Sequence, residues 1–122
     1  MGLRLTLPYS PGEPGPEVGD ALPASAGMVL DAGMTWSNTG SGELVITSLG
    51  LVACDLESME MAGVAWPSFD AGSQLSDLGT YASIAMHVDG CGTLTFGIDH
   101  RLAANIWAIA SQLSEAGEGV EI

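Results

Sequence analysis

Lysine is absent from this chain, and Arg4 and Arg101 are its only arginines. Against them stand 15 aspartates and glutamates, for a formal net charge of −13. Charged residues reach only 14% of the chain, below the roughly 25% of an average domain. The chain is therefore stripped of cations rather than loaded with anions. Affinity for nucleic acid comes from lysines and arginines that neutralise phosphates. Two arginines at opposite ends of the sequence make no basic track, so direct nucleic-acid binding is excluded. Docking to an anionic membrane surface is excluded on the same ground.

Long apolar runs are missing too. Leu44–Ile46 and Leu49–Cys54, interrupted by Gly50, fall far short of the ~20 residues of a membrane span. Cysteine is scarce: Cys54 and Cys91 have neither CxxC spacing nor a histidine at zinc-site spacing. Met1–Leu7 lacks the pattern of a secretory signal. These absences set the expectation of a cytoplasmic protein with two reduced thiols.

Apolar residues make up 47% of 122 positions, enough for one domain spanning 1–122 with a core of its own. Leu3, Leu5 and Leu7 alternate with polar residues and read as a strand. Residues 8–25 hold five prolines and read as a loop or arm, wrapped on the domain or disordered. Ala26–Leu30 and Gly33–Trp36 are weak strands, broken by Asp31 and Gly33. Ser37–Gly42 is a turn cluster. Leu44–Cys54 reads as one strand in which Gly50 marks a bulge or bend. Asp55–Ser58 turns the chain into a partner strand, Met59–Trp66.

Ser68–Gly79 reads as polar, with one helical turn around Gln74–Leu78. Thr80–Val88 points Ala82, Ile84, Met86 and Val88 to one face. Asp89–Gly92 is a hairpin turn, and Thr93–Ile98 returns with Leu94, Phe96 and Ile98 on one face. Asp99 is an N-cap for a helix over 99–116. Its apolar stripe runs through Leu102, Ile106, Ile109 or Ala110, and Leu113, widened by Ala103 and Trp107. Residues 117–122 form a frayed tail. The fold class is α+β: an antiparallel meander of about five to six strands, packed by one C-terminal amphipathic helix.

The residues that carry chemistry do not assemble into a motif. His87 lies near Asp89 and Cys91, and His100 follows Asp99. Surrounding carboxylates would raise a thiol pKa rather than activate it. The acids Asp55, Glu57 and Glu60, or Glu13, Glu17 and Asp20, lack the spacing of a calcium loop. No phosphate loop or nucleophile elbow is present. The expectation is no catalytic residue, no cofactor and no metal.

Asp55, Glu57 and Glu60 border Met59, Met61 and Trp66. An apolar strip rimmed by acids suits a basic, partly apolar protein partner. The functional expectation is a non-enzymatic inhibitor or immunity-type protein. It would cover a basic surface of a nucleic-acid-handling complex or a toxin, in the manner of an anti-CRISPR protein or a partial nucleic-acid mimic. The alternatives are a homo-oligomeric virion or scaffold subunit, and a small enzyme or ligand-binding module with a sheet–helix pocket around Tyr81, His87 and His100.

Overall fold

The computed structural model describes residues 7–22, 24–37, 40–66, 74–77, 81–88, 90 and 92–117. The elements are α1 (Pro16–Ala21), a 3₁₀ turn (Ala24–Ala26), β1 (Val29–Ser37), β2 (Gly40–Thr47), β3 (Gly50–Asp55), β4 (Met61–Ala65), β5 (Gln74–Asp77), β6 (Ala82–Val88), β7 (Gly92–Ile98) and α2 (His100–Gly117). The fold is α+β. All strand pairs are antiparallel, in the order β4-β3-β2-β1-β7-β6-β5. The sheet curls into a half-barrel, far enough for β4 to approach β6. Each half is a meander, and the β1–β7 pair joins the two through Trp36 and Gly97.

Side-chain alternation assigns the two faces. On the concave face Leu44, Ile46, Leu51, Val64, Ile84, Met86 and Ile98 are buried, and α2 lays Leu102, Ile106 and Ile109 against them. Asp99 starts that helix as predicted: its Oδ1 accepts the Leu102 backbone N–H at 2.8 Å. On the convex face Ala32, Val45 and Cys54 pack beneath Val18 of α1.

The Leu44–Cys54 run divides into two strands instead of forming one. Thr47 drives the reversal: its Oγ1 accepts the backbone N–H groups of Leu49 and Gly50, each at 3.1 Å, and donates to the Gly50 carbonyl at 3.2 Å. Gly50 is no bulge. A Cβ there would run into the Val64 carbonyl of β4, so only glycine lets these strands approach. Alternation alone does not reveal a turn that exposes the apolar Leu49 beside Ser48.

β1, by contrast, is one continuous strand: Asp31 and Gly33 lie inside it rather than breaking it, with an irregular register at Val29–Asp31. Residues 74–77 form β5 rather than a helical turn; Leu78 lies outside the described residues. Leu3 and Leu5 of the first expected strand also lie outside them, and Leu7 belongs to no strand. Trp107 does not widen the core stripe of α2; it is 67% exposed.

The arm lies along the sheet and is held through its own backbone. Tyr9 N–H donates to Asn105 Oδ1 at 3.2 Å, Gly12 N–H to Asp31 Oδ1 at 2.7 Å, and Gly15 N–H to Glu43 Oε2 at 3.0 Å. Pro16 opens α1 at the position where a missing N–H costs nothing.

Asp31 is the hub of this packing. Arg101 Nη1 donates to its two oxygens at 2.8 and 2.9 Å, and Asn105 Nδ2 to Oδ2 at 2.8 Å. Arg101 Nη2 also reaches the Ala32 carbonyl at 3.0 Å. Arm, first strand and C-terminal helix therefore meet at one buried carboxylate.

Candidate interaction surface

The turn between β3 and β4 is built by short polar side chains. Asp55 Oδ1 accepts the Glu57 N–H at 2.9 Å, and Ser58 Oγ accepts the Glu60 N–H at 3.2 Å. The backbone closes with Met59 N–H on the Asp55 carbonyl at 2.7 Å and Asp55 N–H on the Glu60 carbonyl at 3.0 Å. This geometry carries Met59 to φ +59°, a conformation uncommon outside glycine. Its side chain packs into the convex cluster with Met61 and Leu56, which holds it there.

The six residues singled out from sequence therefore separate. Asp55, Glu57 and Glu60 are exposed around the turn, and Met59 and Met61 are half-buried beside it. Trp66 is not part of this surface. It is 6% exposed, and its Nε1–H donates to the Thr47 carbonyl at 3.0 Å. Sequence alternation assigns Trp66 to the face of Val64, and that face is the concave core.

A cleft of about 300 Å³ opens beside the same turn. Thr35 and Ser37 of β1, Gly40–Gly42 of β2, Ala53–Asp55 of β3, Glu60–Ala62 at the start of β4, and Leu94 and Phe96 of β7 line it. It is the mouth of the half-barrel. Ser37 at the end of β1, Gly40 at the start of β2 and the β3–β4 turn all lie there, and no described side chain of α2, which follows Ile98 at the opposite end of β7, lines it. Its floor is apolar, formed on the concave face by Ala53, Ala62, Leu94 and Phe96, while Met61, which packs in the convex cluster, borders it. Among the described residues, Asp55 and Glu60 are the charged side chains that line it, and both are acidic.

Cys54 borders the cleft as a free thiol, 3% exposed. Burial pushes its pKa above the ordinary value, and the charges of Glu43 and Asp55 raise it further. It is a protonated packing residue at neutral pH.

The alternative catalytic candidates do not converge. His87 is exposed on β6 opposite Thr93, near the β6–β7 turn, whereas His100 starts α2 beyond the other end of that hairpin. The Asp99 carboxylate caps α2. Tyr81 stacks obliquely on Trp36, with ring centroids 5.7 Å apart. Asp89 and Cys91 lie outside the described residues. Among the described residues, no three His, Cys, Asp or Glu side chains gather closely enough to hold a metal ion. No described helix is long and apolar enough to cross a membrane.

Sequence reasoning reached Asp55, Glu60 and Met61 but missed Phe96, Leu94, Ala53 and Ala62. The alternation of β7 put Leu94 and Phe96 on one face. That α2 leaves this end of the concave face uncovered is a property of three-dimensional packing, which periodicity does not report.

Comparison with protein-family models, with curated proteins and with solved structures returns no match.

Proposed function

We propose that this chain is a non-enzymatic protein-binding domain of inhibitor or immunity type, which receives a basic, partly apolar segment of a partner protein in the mouth of its half-barrel. One observation carries the reading: the cleft joins an apolar floor to a rim on which, among the described residues, every charged side chain is acidic. An arginine or lysine side chain matches that combination, with an aliphatic stem for Phe96 and Leu94 and a cationic head for Asp55 and Glu60. The scarcity of cations across the chain adds long-range attraction to the same partner and repels polyanions. A basic surface of a nucleic-acid-handling complex, or of a toxin, has the required chemistry.

The test uses defined peptides. An amphipathic peptide of arginine, lysine and leucine is titrated against the chain, beside a control of the same length with glutamate for each cation. Expected is saturable binding of the cationic peptide alone, weakened at least tenfold by Glu60→Lys with Asp55→Asn. The asparagine keeps the oxygen that accepts the Glu57 N–H, so the turn survives. Equal binding of both peptides, or binding indifferent to these substitutions, sinks the reading.

A further inference from the structure

The arm repeats every three residues. Pro8, Pro11 and Pro14 are each followed by a residue that keeps its N–H: Tyr9, Gly12 and Gly15. Proline holds φ near −65°, and a proline-rich chain favours polyproline II, which has three residues per turn and no internal hydrogen bonds. Gly15, at φ −58° and ψ 154°, has that conformation. Positions three apart then share a face, with N–H groups available to another element. All three are taken up by side chains of the body. Asn105 of α2 accepts from Tyr9, Asp31 of β1 from Gly12, and Glu43 of β2 from Gly15. Asn105 also donates to the Tyr9 carbonyl at 3.3 Å, so one buried amide pairs with both backbone groups of that residue. Arg101 Nη1 reaches the Ser10 carbonyl at 3.3 Å. None of these bonds uses a side chain of the arm. Position 12 must be glycine, because a Cβ there would stand 2.7 Å from the Ala32 carbonyl oxygen. The body therefore carries a track that reads the backbone frame Pro-x-x-Pro-Gly-x-Pro-Gly.

The resident arm fits this frame but not its charge. Glu13 lies between the residues held by Asp31 and Glu43, Glu17 and Asp20 follow, and residues 7–22 hold no lysine or arginine. Glu43 is 5% exposed, and among the described residues the Gly15 N–H is the one donor that reaches it. A carboxylate has room for about four donors, so Glu43 keeps unused acceptor capacity beside the arm.

We infer that this track is a binding site for an extended proline–glycine segment of a partner protein, with a cation where the arm carries Glu13. The arm is the resident occupant, and a cationic segment in the same frame displaces it. The segment seated on the track defines the backbone chemistry, and charge complementarity selects the occupant: a cation between Asp31 and Glu43 is attracted where Glu13 is repelled. The arm of a second copy brings the same mismatch as the resident one. The inference does not rest on the cleft, which Asn105, Asp31 and Glu43 do not line.

A tethered arm competes at an effective concentration that is roughly millimolar, so the test uses the full chain with its own arm loosened by Gly12→Ala. Fluorescent peptides spanning residues 7–22 are titrated and followed by anisotropy. Expected is saturable binding of the peptide with the natural sequence. The Glu13→Arg peptide should bind at least threefold more tightly, and a Gly12→Ala peptide at least tenfold more weakly. The wild-type chain, its track filled, should bind each peptide at least tenfold more weakly than the loosened host. Cys54, packed with Val18, supplies a second readout: bound peptide should slow its modification in the loosened host. Where circular dichroism shows that Gly12→Ala disturbs the sheet, Tyr9→Pro, which deletes the N–H that Asn105 accepts, serves as host and the same outcomes are read. Absence of binding to the host, equal binding of the Gly12→Ala peptide, or no preference for the Glu13→Arg peptide overturns the inference. Adding Glu60→Lys with Asp55→Asn to the host separates this site from the cleft. Peptide affinity should not change, and a loss would place the peptide in the cleft and overturn the inference as well.

Discussion

Asp31 is fully buried, yet four donors reach its carboxylate: the guanidinium of Arg101, the amide of Asn105, and the backbone N–H groups of Gly12 and Ala32. A charge so enclosed is tolerable only while its partner is present. Arg101→Met removes the cation and leaves the carboxylate stranded, which costs about 3–5 kcal/mol. Urea denaturation of Arg101→Met, of Asp31→Leu and of the double variant measures the coupling. The double variant should be more stable than Arg101→Met alone, because it strands nothing. Cys54 gives a second prediction with a sign. Its folded-state pKa is raised, so the folded chain favours the protonated thiol. The stabilisation is complete below the ordinary value of 9.0 and is lost as pH climbs through the raised one. The gap in urea midpoint between the wild type and Cys54→Ala should therefore close above about pH 9, and thiol-directed reagents at pH 8 should modify Cys54 much more slowly than a peptide thiol.

The arm and α1 form the element whose role composition hides. Proline and glycine mark residues 8–25 as irregular, and the described ones are, apart from α1 and the start of the 3₁₀ turn; but nothing in them states that backbone N–H groups will seek Asp31, Glu43 and Asn105. A residue-level signal did exist. Arg101 sits in the first turn of a helix, where the macrodipole disfavours a cation, and it is one of only two cations in the chain. Such a residue implies a buried acid opposite, and Asp31, alone in an apolar window, is the one that fits. The helix itself was legible because Asp99 and the spacing of Leu102, Ile106 and Ile109 agree locally. The β6–β7 hairpin was legible because its alternation is unbroken. The β2–β3 turn was not, because it exposes the apolar Leu49 and because Gly50 acts through a close approach to β4 that sequence neighbours do not show. Val18→Asp tests the arm as a unit. It places a charge in the cluster of Ala32, Val45 and Cys54 and should release α1. Cys54 labelling at pH 8 should then accelerate at least tenfold, at a denaturant concentration where far-UV circular dichroism still reports the sheet. Labelling that stays slow would show that the sheet shields the thiol without the arm.

At the scale of the whole molecule the governing quantity is the missing positive charge. Arg101 is committed to Asp31, so it does little to neutralise the carboxylates that remain on the surface. These repel one another in the folded state more than in the expanded unfolded chain. Salt should therefore stabilise the fold, contrary to the behaviour of a protein held by surface ion pairs. Between about 20 mM and 0.5 M NaCl the Debye length shrinks from roughly 20 Å to about 4 Å, and the thermal midpoint should rise by several degrees. The double charge reversal Glu57→Lys with Glu60→Lys, on exposed side chains of one turn, brings the formal charge from −13 to −9, since each reversal adds two. It should raise the midpoint at low salt and flatten the salt response. The experiment isolates electrostatics because neither side chain is a core residue. A midpoint that falls as salt is added would mean that favourable ion pairs outweigh the repulsion. The electrostatic attraction assigned to a basic partner would then have to come from the two carboxylates of the cleft alone.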